Sequence, residues 1–519
     1  MQLVAYGAQD IYLTGNPQIT FFKVVYRRHT NFSMECIQQT FNGQWGTGAS
    51  NVTATISRNG DLISNMHVDI LIPPGALIPG GSNPGATVAA AGLANNTPRY
   101  ITWTNSVGHA IIDNVELEIG GQMIDKHYGH WLDVWRELTD HDDRNSDMVG
   151  RLNAPQAQYV TSIRQSGGVN HAYGAAPGAQ AVGGGTLQVG LPSCQLYVPL
   201  KFWFNRNPGL ALPLIALQYH EVKVKIATRA LTDLVGTGQR VASTGLNNIA
   251  AVRAPVVAAQ FGVASLPAAP IANLWVDYIY LDTDERRRFA QQSHEYLIEQ
   301  VQWERNGLTQ NANSNIRLNL NHPVKELIWT VQDNRTFAPV GHNGACDIQS
   351  NSYSNLNGVV LNGIQTPSFG AGGAQRTIQG NDYFNYDVYE TAPGVGFLAA
   401  SNVEVIGGVQ TIEGFGTAQL KLNGHDRFPA KKASYFRTVT ATQAGHRQPR
   451  KNIYVYSFAL KPEEHQPSGT CNFSRIDNAQ LALTNTAGIA PNTMSINVYA
   501  VNYNVLRIMS GMGGLAYSN

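Results

Sequence analysis

An all-β chain made of two versions of one strand-rich unit is what the sequence predicts, and three observations carry that prediction. At 519 residues the chain exceeds the roughly 250–300 residues at which a single hydrophobic core stops growing. Charged residues are only 14%, while glycine numbers 51 and proline 24, a composition in which turns join short strands rather than long charged helices. Alternation of apolar and polar residues, the period of a half-buried strand, recurs in the same order in both halves.

Taken in order, Asn16 is placed to cap a helix whose first residue is Pro17, with Ile19, Phe22, Val25 and Tyr26 on one face. Asn59-Gly60, between Val52–Ser57 and Leu62–Ile72, predicts a hairpin, because both positions of a type I′ turn favour positive φ. Val115, Leu117 and Ile119 alternate with Glu116 and Glu118 before Gly120-Gly121, which supplies the next turn. Between His127 and Asp140, Trp131, Val134, Trp135 and Leu138 fall at helical spacing, so a helix is expected across an end or face of the first sheet. Long Gly/Ala-rich loops are expected at 165–190 and about 234–269. Between them lies the strand of Val222, Val224 and Ile226, and Trp275–Leu281 closes the first half.

Leu281–Gln300 then joins the halves. Asp282 is a plausible N-cap with Glu285 three positions on, Asp284 and Glu285 occupy the first turn, and Arg286, Arg287 and Arg288 follow, the charge order a helix dipole prefers. Pairs such as Glu285–Arg288 and Asp284–Arg288 account for these charges without catalysis. From His294 the period changes to two, so a second sheet begins. Leu196–Ile226 aligns without a gap with Ile453–Leu483, both reading strand, Pro-containing loop, strand, and Leu117–Gly121 matches Leu420–Gly424. Insertions move between the copies, to 165–190 in the first and about 334–400 in the second, as surface loops on a common scaffold do.

Lys+Arg is 36 against 35 Asp+Glu, so no global field draws the chain to nucleic acid or an anionic membrane. His127, His130, His141, Asp142 and Asp143 are metal-type residues, but they suit a capped helix end equally well and no further ligand stands at a fixed spacing. The basic clusters Arg286–Arg288, Lys431-Lys432 and Arg447, Arg450, Lys451 suit interfaces better than a phosphate track. No Walker loop, nucleophile elbow or zinc-protease motif occurs, and no catalytic, cofactor or metal residue is nominated. Cys36, Cys194, Cys346 and Cys471 are scattered, which suggests reduced thiols and intracellular folding. The start, MQLVAYGAQD, lacks the pattern of a signal peptide, and a soluble product is expected. Asn51, Asn334 and Asn472 head short glycosylation patterns that matter only with secretory access.

Five segments, Gly7–Phe32, Ser57–Ile63, Leu281–Gln291, Phe458–Asn478 and Asn502–Asn519, in that order, closely resemble the major capsid proteins of large icosahedral nucleocytoplasmic DNA viruses of algae and protists. The resemblance implies a double jelly roll: two consecutive eight-stranded antiparallel sandwiches with long loop insertions and a few short helices. It divides the chain into an N-terminal arm (1–28), a first jelly roll (29–282), a connector helix (283–293) and a second jelly roll (294–519). It also implies a non-enzymatic protein forming homotrimeric, pseudo-hexagonal capsomers in an icosahedral virion shell after synthesis in the host cytoplasm. Neighbouring capsomers and minor capsid and penton proteins would be its partners. A membrane layer beneath the shell is compatible, direct nucleic-acid contact is not expected, and no cofactor is implied. Pro17, Phe21, Phe22 and Tyr26 would then serve contacts at the base of the tile, or else pack on their own barrel. Asp282, Asp284, Glu285 and Arg286–Arg288 would set one barrel beside the other. The alternative is a β-sandwich that binds or acts on carbohydrate, for which no convincing carboxylate pair is found.

Overall fold

One-sided burial explains most strands. Val222–Thr228 and Leu62–Ile72 alternate buried and half-exposed positions along their length, the consequence of successive side chains pointing to opposite faces of a sheet. The computed structural model describes residues 8–17, 26, 28–73, 99–104, 106–140, 148–150, 193–243, 246–252, 268–308, 313–333, 360–361, 364–365, 383–384, 386, 389–391, 403–406, 409–449, 451–484 and 494–517.

The principal strands of the first half are β1 (Phe32–Thr40), β2 (Ser50–Thr55), β3 (Leu62–Ile72), β4 (Ile112–Ile119), β5 (Gln122–Tyr128), β6 (Cys194–Pro199), β7 (Val222–Thr228) and β8 (Ile271–Leu281). They form two antiparallel sheets, ordered β1-β8-β3-β6 and β2-β7-β4-β5. The second half supplies β9 (His294–Leu308), β10 (Ser314–Leu318), β11 (Pro323–Asp333), β12 (Thr417–Leu422), β13 (His425–Asp426), β14 (Ile453–Ser457), β15 (Ala479–Thr484) and β16 (Met494–Met509). Their orders are β9-β16-β11-β14 and β10-β15-β12-β13, so the two halves share one topology, the jelly roll. The gapless alignment holds in space for β7 and β15, which begin at Val222 and Ala479, but slips by an odd number of residues between β6 and β14. Leu196 and Val198 are buried in the first sandwich, whereas in β14 it is Tyr454, not Ile453 or Val455, that enters the core of the second.

The matching turns also agree. Gly120 and Gly121 have φ of 58° and 86°, Asn423 and Gly424 have 51° and 81°, the left-handed pairs that a type I′ hairpin needs. The Asn59-Gly60 expectation is corrected. β2 and β3 belong to different sheets, and neither residue has positive φ. The glycine is needed for another reason: a Cβ on Gly60 would stand 2.8 Å from that of Tyr278.

Six helices are used below: α1 (Ile11–Thr14), α2 (Val107–Ile111), α3 (Gly129–Thr139), α4 (Trp203–Arg206), α5 (Thr283–Gln291) and α6 (Ala433–Gln443). The predicted cap at Asn16 is corrected too. Asn16 has a left-handed φ of 53° and follows α1 rather than starting a helix, and most of the expected helix from Pro17 lies outside the described residues. The helix expected from His127 starts at Gly129, with His127 in β5. The 165–190 insertion lies outside the described residues. Part of the supposed loop at 234–269 is instead two paired strands, Val235–Ser243 and Leu246–Val252, the former also pairing with Arg99–Trp103. Their small side chains give a weak period, and a partner far along the chain decides their state.

One apolar cluster fills the second sandwich with residues such as Trp329, Phe415, Phe436 and Val498. The larger cluster fills the first and continues into the second half through Val301, Ile453, Tyr499 and Val501. The space between the sandwiches is therefore part of the core.

Candidate functional site

Between the two sandwiches runs a seam built on α3. Gly129 makes it possible: any Cβ there would lie 2.1 Å from the carbonyl oxygen of Ile112, so only glycine lets the helix start against that backbone. Every residue of α3 from Gly129 to Leu138 is buried. Trp131 lies against β16, centred 5.1 Å from the Tyr499 ring, while Tyr128 at the end of β5 lies 4.4 Å from Trp303 of β9. His130 Nδ1 is 2.8 Å from the Tyr499 hydroxyl. Burial pushes His130 down to about 3, so it stays neutral in this contact.

The seam also encloses charges. Glu299 accepts from Arg206 (2.8 Å) and Lys325 (2.7 Å), and Lys325 donates to the Pro462 carbonyl at 2.6 Å. The Arg206 guanidinium lies over the Trp135 ring at 4.3 Å. Asp133 in α3 receives Lys451 at 3.0 Å, His109 at 3.2 Å and the Tyr386 hydroxyl. His446 stands between Glu326 (2.8 Å) and Glu463 (2.6 Å). Burial alone would lower its pKa, but attraction and hydrogen bonding from the two carboxylates outweigh this and raise it to about 9. Burial would raise Glu326, and the charge of His446 beside it holds it below its ordinary value. Backbone contacts complete the joint: Val301 N donates to Asp125 Oδ1 at 3.2 Å, Arg447 N to the Leu138 carbonyl at 2.8 Å and Tyr219 N to the Gly511 carbonyl at 3.0 Å.

Such an arrangement fixes shape. Its buried carboxylates face cations or histidines, and among the described residues no group of three or more His, Cys, Asp or Glu side chains is arranged to hold a metal ion. Of the metal-type residues weighed in the sequence, His127 meets Asp125 and stacks on Phe202 while His130 meets Tyr499; His141, Asp142 and Asp143 lie outside the described residues. Lys451 is a buried seam residue, Arg447 donates to the Asp140 carbonyl, and Lys431 lies 4.1 Å over Tyr435. Arg450 lies outside the described residues.

Asp282 caps α5 by accepting from Thr283 N at 2.8 Å. Arg286 reaches Asp61 at 3.0 Å, and Asp61, itself buried, accepts from Leu281 N at 2.9 Å. The expected Glu285–Arg288 and Asp284–Arg288 pairs are corrected: among the described residues neither forms, because exposed partners gain little from pairing in water. Phe289 packs against Leu62 and Ile279 and stacks on His294. Pro17 and Tyr26 are exposed, whereas Phe21, Phe22, Asn334 and Cys346 lie outside the described residues. Asn51 is exposed on β2, and Asn472 uses its side chain to accept from Ser474 N. Cys36, Cys194 and Cys471 are free thiols.

Sequence reasoning missed the charged seam. Its one visible sign is Lys325-Glu326 placed between Val324 and the apolar run Leu327–Trp329, and the partners of these residues lie elsewhere in the chain.

A family profile described as major capsid protein N-terminus matches residues 20–282, and one described as large eukaryotic DNA virus major capsid protein matches 285–514. The chain is 43% identical to the major capsid protein of Phaeocystis pouchetii virus and 40% identical to that of Paramecium bursaria Chlorella virus 1, in each case over 100% of this chain and 99% of the relative. Among solved structures it is similar to the PBCV-1 virus capsid protein, with a TM-score of 0.61 and 35% identity over 96% of this chain and 100% of that one. The Faustovirus major capsid protein, at 14% identity and a TM-score of 0.61 over 97% and 94% of the two chains, shares the fold.

Proposed function

The chain belongs to the family of large eukaryotic DNA virus major capsid proteins, and from that premise we propose that three copies join into a pseudo-hexagonal capsomer that tiles an icosahedral shell. That it is a structural protein of the virion shell follows from its family; the capsomer is the finer reading. The observation that carries it is the repetition of one strand order in two sandwiches fused by a buried seam. A chain with two similar units can present six of them in a closed ring of three copies, because a head-to-tail contact closes when its rotation permits.

The proposed division is an arm (1–28), two sandwiches (29–282 and 294–519) and a connector (283–293), and its support is that the two profiles meet between 282 and 285. The role is non-enzymatic, in keeping with buried ionisable groups that face one another across the seam. Neighbouring capsomers, minor capsid and penton proteins are the partners, synthesis is in the host cytoplasm, and a membrane layer beneath the shell is compatible with this arrangement. Native mass spectrometry and electron microscopy of the purified chain test the reading. Three copies and a hexagonal outline are expected, and a persistent monomer would overturn it.

A further inference from the structure

We propose that Asp133 and Lys451 condense into an amide, an isopeptide bond that ties the two sandwiches together covalently across the seam. The bond lies within one chain and does not depend on the capsomer.

The reacting groups already touch. Lys451 Nζ lies 3.0 Å from Asp133 Oδ2, so the nitrogen and the carboxyl carbon one bond behind that oxygen are held close to near-attack range. Both side chains are closed off from water, with 4% and 0% of their surfaces exposed. Each is held from its own side of the seam. Asp133 sits in the middle of α3, where every residue from Gly129 to Leu138 is buried. Lys451 directly precedes β14, its ammonium lies 4.5 Å over the Tyr386 ring, and Asn452 N donates to the Tyr386 carbonyl at 2.6 Å. Forming an amide here calls for no oxidant, metal or second molecule, only contact, dryness and a polarised carboxyl group.

The polarising groups are in place too. The Tyr386 hydroxyl donates to Oδ2 and His109 Nδ1 lies 3.2 Å from Oδ1, both side chains being buried. Keeping an ammonium and a carboxylate out of water is costly, and passing one proton from Nζ to Oδ2 leaves a neutral amine beside a neutral acid. Nζ then attacks Cγ with its lone pair. The Nζ–Cγ bond forms, the Cγ–Oδ2 bond breaks, and Oδ2 leaves as water with a second proton from Nζ. His109, in the tautomer protonated on Nδ1, donates to Oδ1, which carries charge during the attack and becomes the amide oxygen. Nothing is oxidised or reduced, and two buried charges disappear. A condensation that is unfavourable between hydrated ions is favoured here, because these ions have already lost their hydration and the water formed leaves the core.

Lys325, also buried, provides the contrast. It meets Glu299 at 2.7 Å, but Glu299 is held at 2.8 Å by Arg206 as well, and a guanidinium has no proton to give up. Glu299 therefore stays a carboxylate, a poor acceptor for an amine, and that pair remains ionic. The bond at Asp133 joins residues 318 positions apart, a span over which a cross-link strongly restricts the unfolded chain.

Mass spectrometry of the full chain, purified folded and denatured only for the measurement, tests this. Wild type is expected to be lighter than its sequence mass by one water, and its tryptic digest to contain a branched peptide joining the Asp133 and Lys451 segments. Lys451→Arg keeps the cation but lacks a nucleophilic amine, and is expected at its full sequence mass. Asp133→Asn offers the same carbon with a different leaving group and is expected to lose one ammonia instead. Lys325→Arg is expected to lose one water, as the wild type does. A wild type at its full sequence mass overturns the bond, whatever the variants do. A water loss that persists in Lys451→Arg overturns it as well, because that dehydration lies elsewhere, and so does a branched peptide formed at Lys325 in place of Lys451.

Discussion

His446 shows how a single side chain in the seam depends on its neighbours. Its pKa rises from the ordinary 6.5 to about 9, so the stability its charge contributes is fully present below pH 6.5 and is lost as pH rises through about 9. Glu326, held below its ordinary 4.5, contributes above pH 4.5 and loses that contribution as pH falls through its lowered value. The pair is therefore worth most between pH 4.5 and 6.5. Replacing His446 with Gln leaves Glu326 buried without its cation, which costs about 3–5 kcal/mol. The gap in urea midpoint between wild type and His446→Gln is expected to be widest in that window and to shrink toward pH 9; a gap independent of pH would show that packing, not charge, is what the histidine supplies. At Gly60 the constraint is space. Gly60→Ala presses a methyl onto Tyr278 and is expected to cost about 1–3 kcal/mol, read as a lowered urea midpoint. No change would mean that the β2–β3 connection moves freely.

Among the elements, α5 has no fully buried residue, yet Arg286 and the half-buried Phe289 hold it to the first sandwich. Because Arg286 is 62% exposed, its bond to Asp61 is worth at most about 1 kcal/mol. Arg286→Ala is expected to lower stability by a fraction of that, while Arg287→Ala and Arg288→Ala fall within about 0.5 kcal/mol of wild type. Equal losses at all three, measured by urea unfolding, would contradict a specific role for the first. The acids and arginines of α5 are legible in sequence because capping and dipole effects act within one turn. The strands around Val115–Ile119 and Val222–Ile226 are legible because sheets with one buried face force a period of two. Asn59-Gly60 misleads because a turn signal does not say whether the flanking strands share a sheet, and here the chain crosses from one sheet to the other. Of the seam charges only Lys325-Glu326 leaves a sign in the sequence, and the roles of Asp133, Glu299 and His446 are not legible: what makes each tolerable in the core is a partner supplied from elsewhere in the chain.

For the whole molecule the decisive fact is that the larger core belongs to neither sandwich alone. Cutting the chain after residue 282 would expose Trp131, Trp135 and Leu138, all nearly or fully buried, and remove the partners of Arg206 and Asp133. Fully burying a large apolar side chain contributes about 1.5–3 kcal/mol, and a domain as a whole is stable by only about 5–15 kcal/mol. Of the two ionic sites only the contacts to Glu299 and Lys451 are lost, since His109 stays with Asp133 and Trp135 with Arg206; losing these together with three such apolar side chains takes away most of what would hold the first sandwich folded. The fragment 1–282 is expected to lack a cooperative unfolding transition. The full chain is expected to unfold the two sandwiches together, with matching calorimetric and van't Hoff enthalpies for a single peak. Two separate peaks, or a fragment that melts cooperatively near the temperature of the full chain, would show that the seam docks two independent domains rather than completing their core.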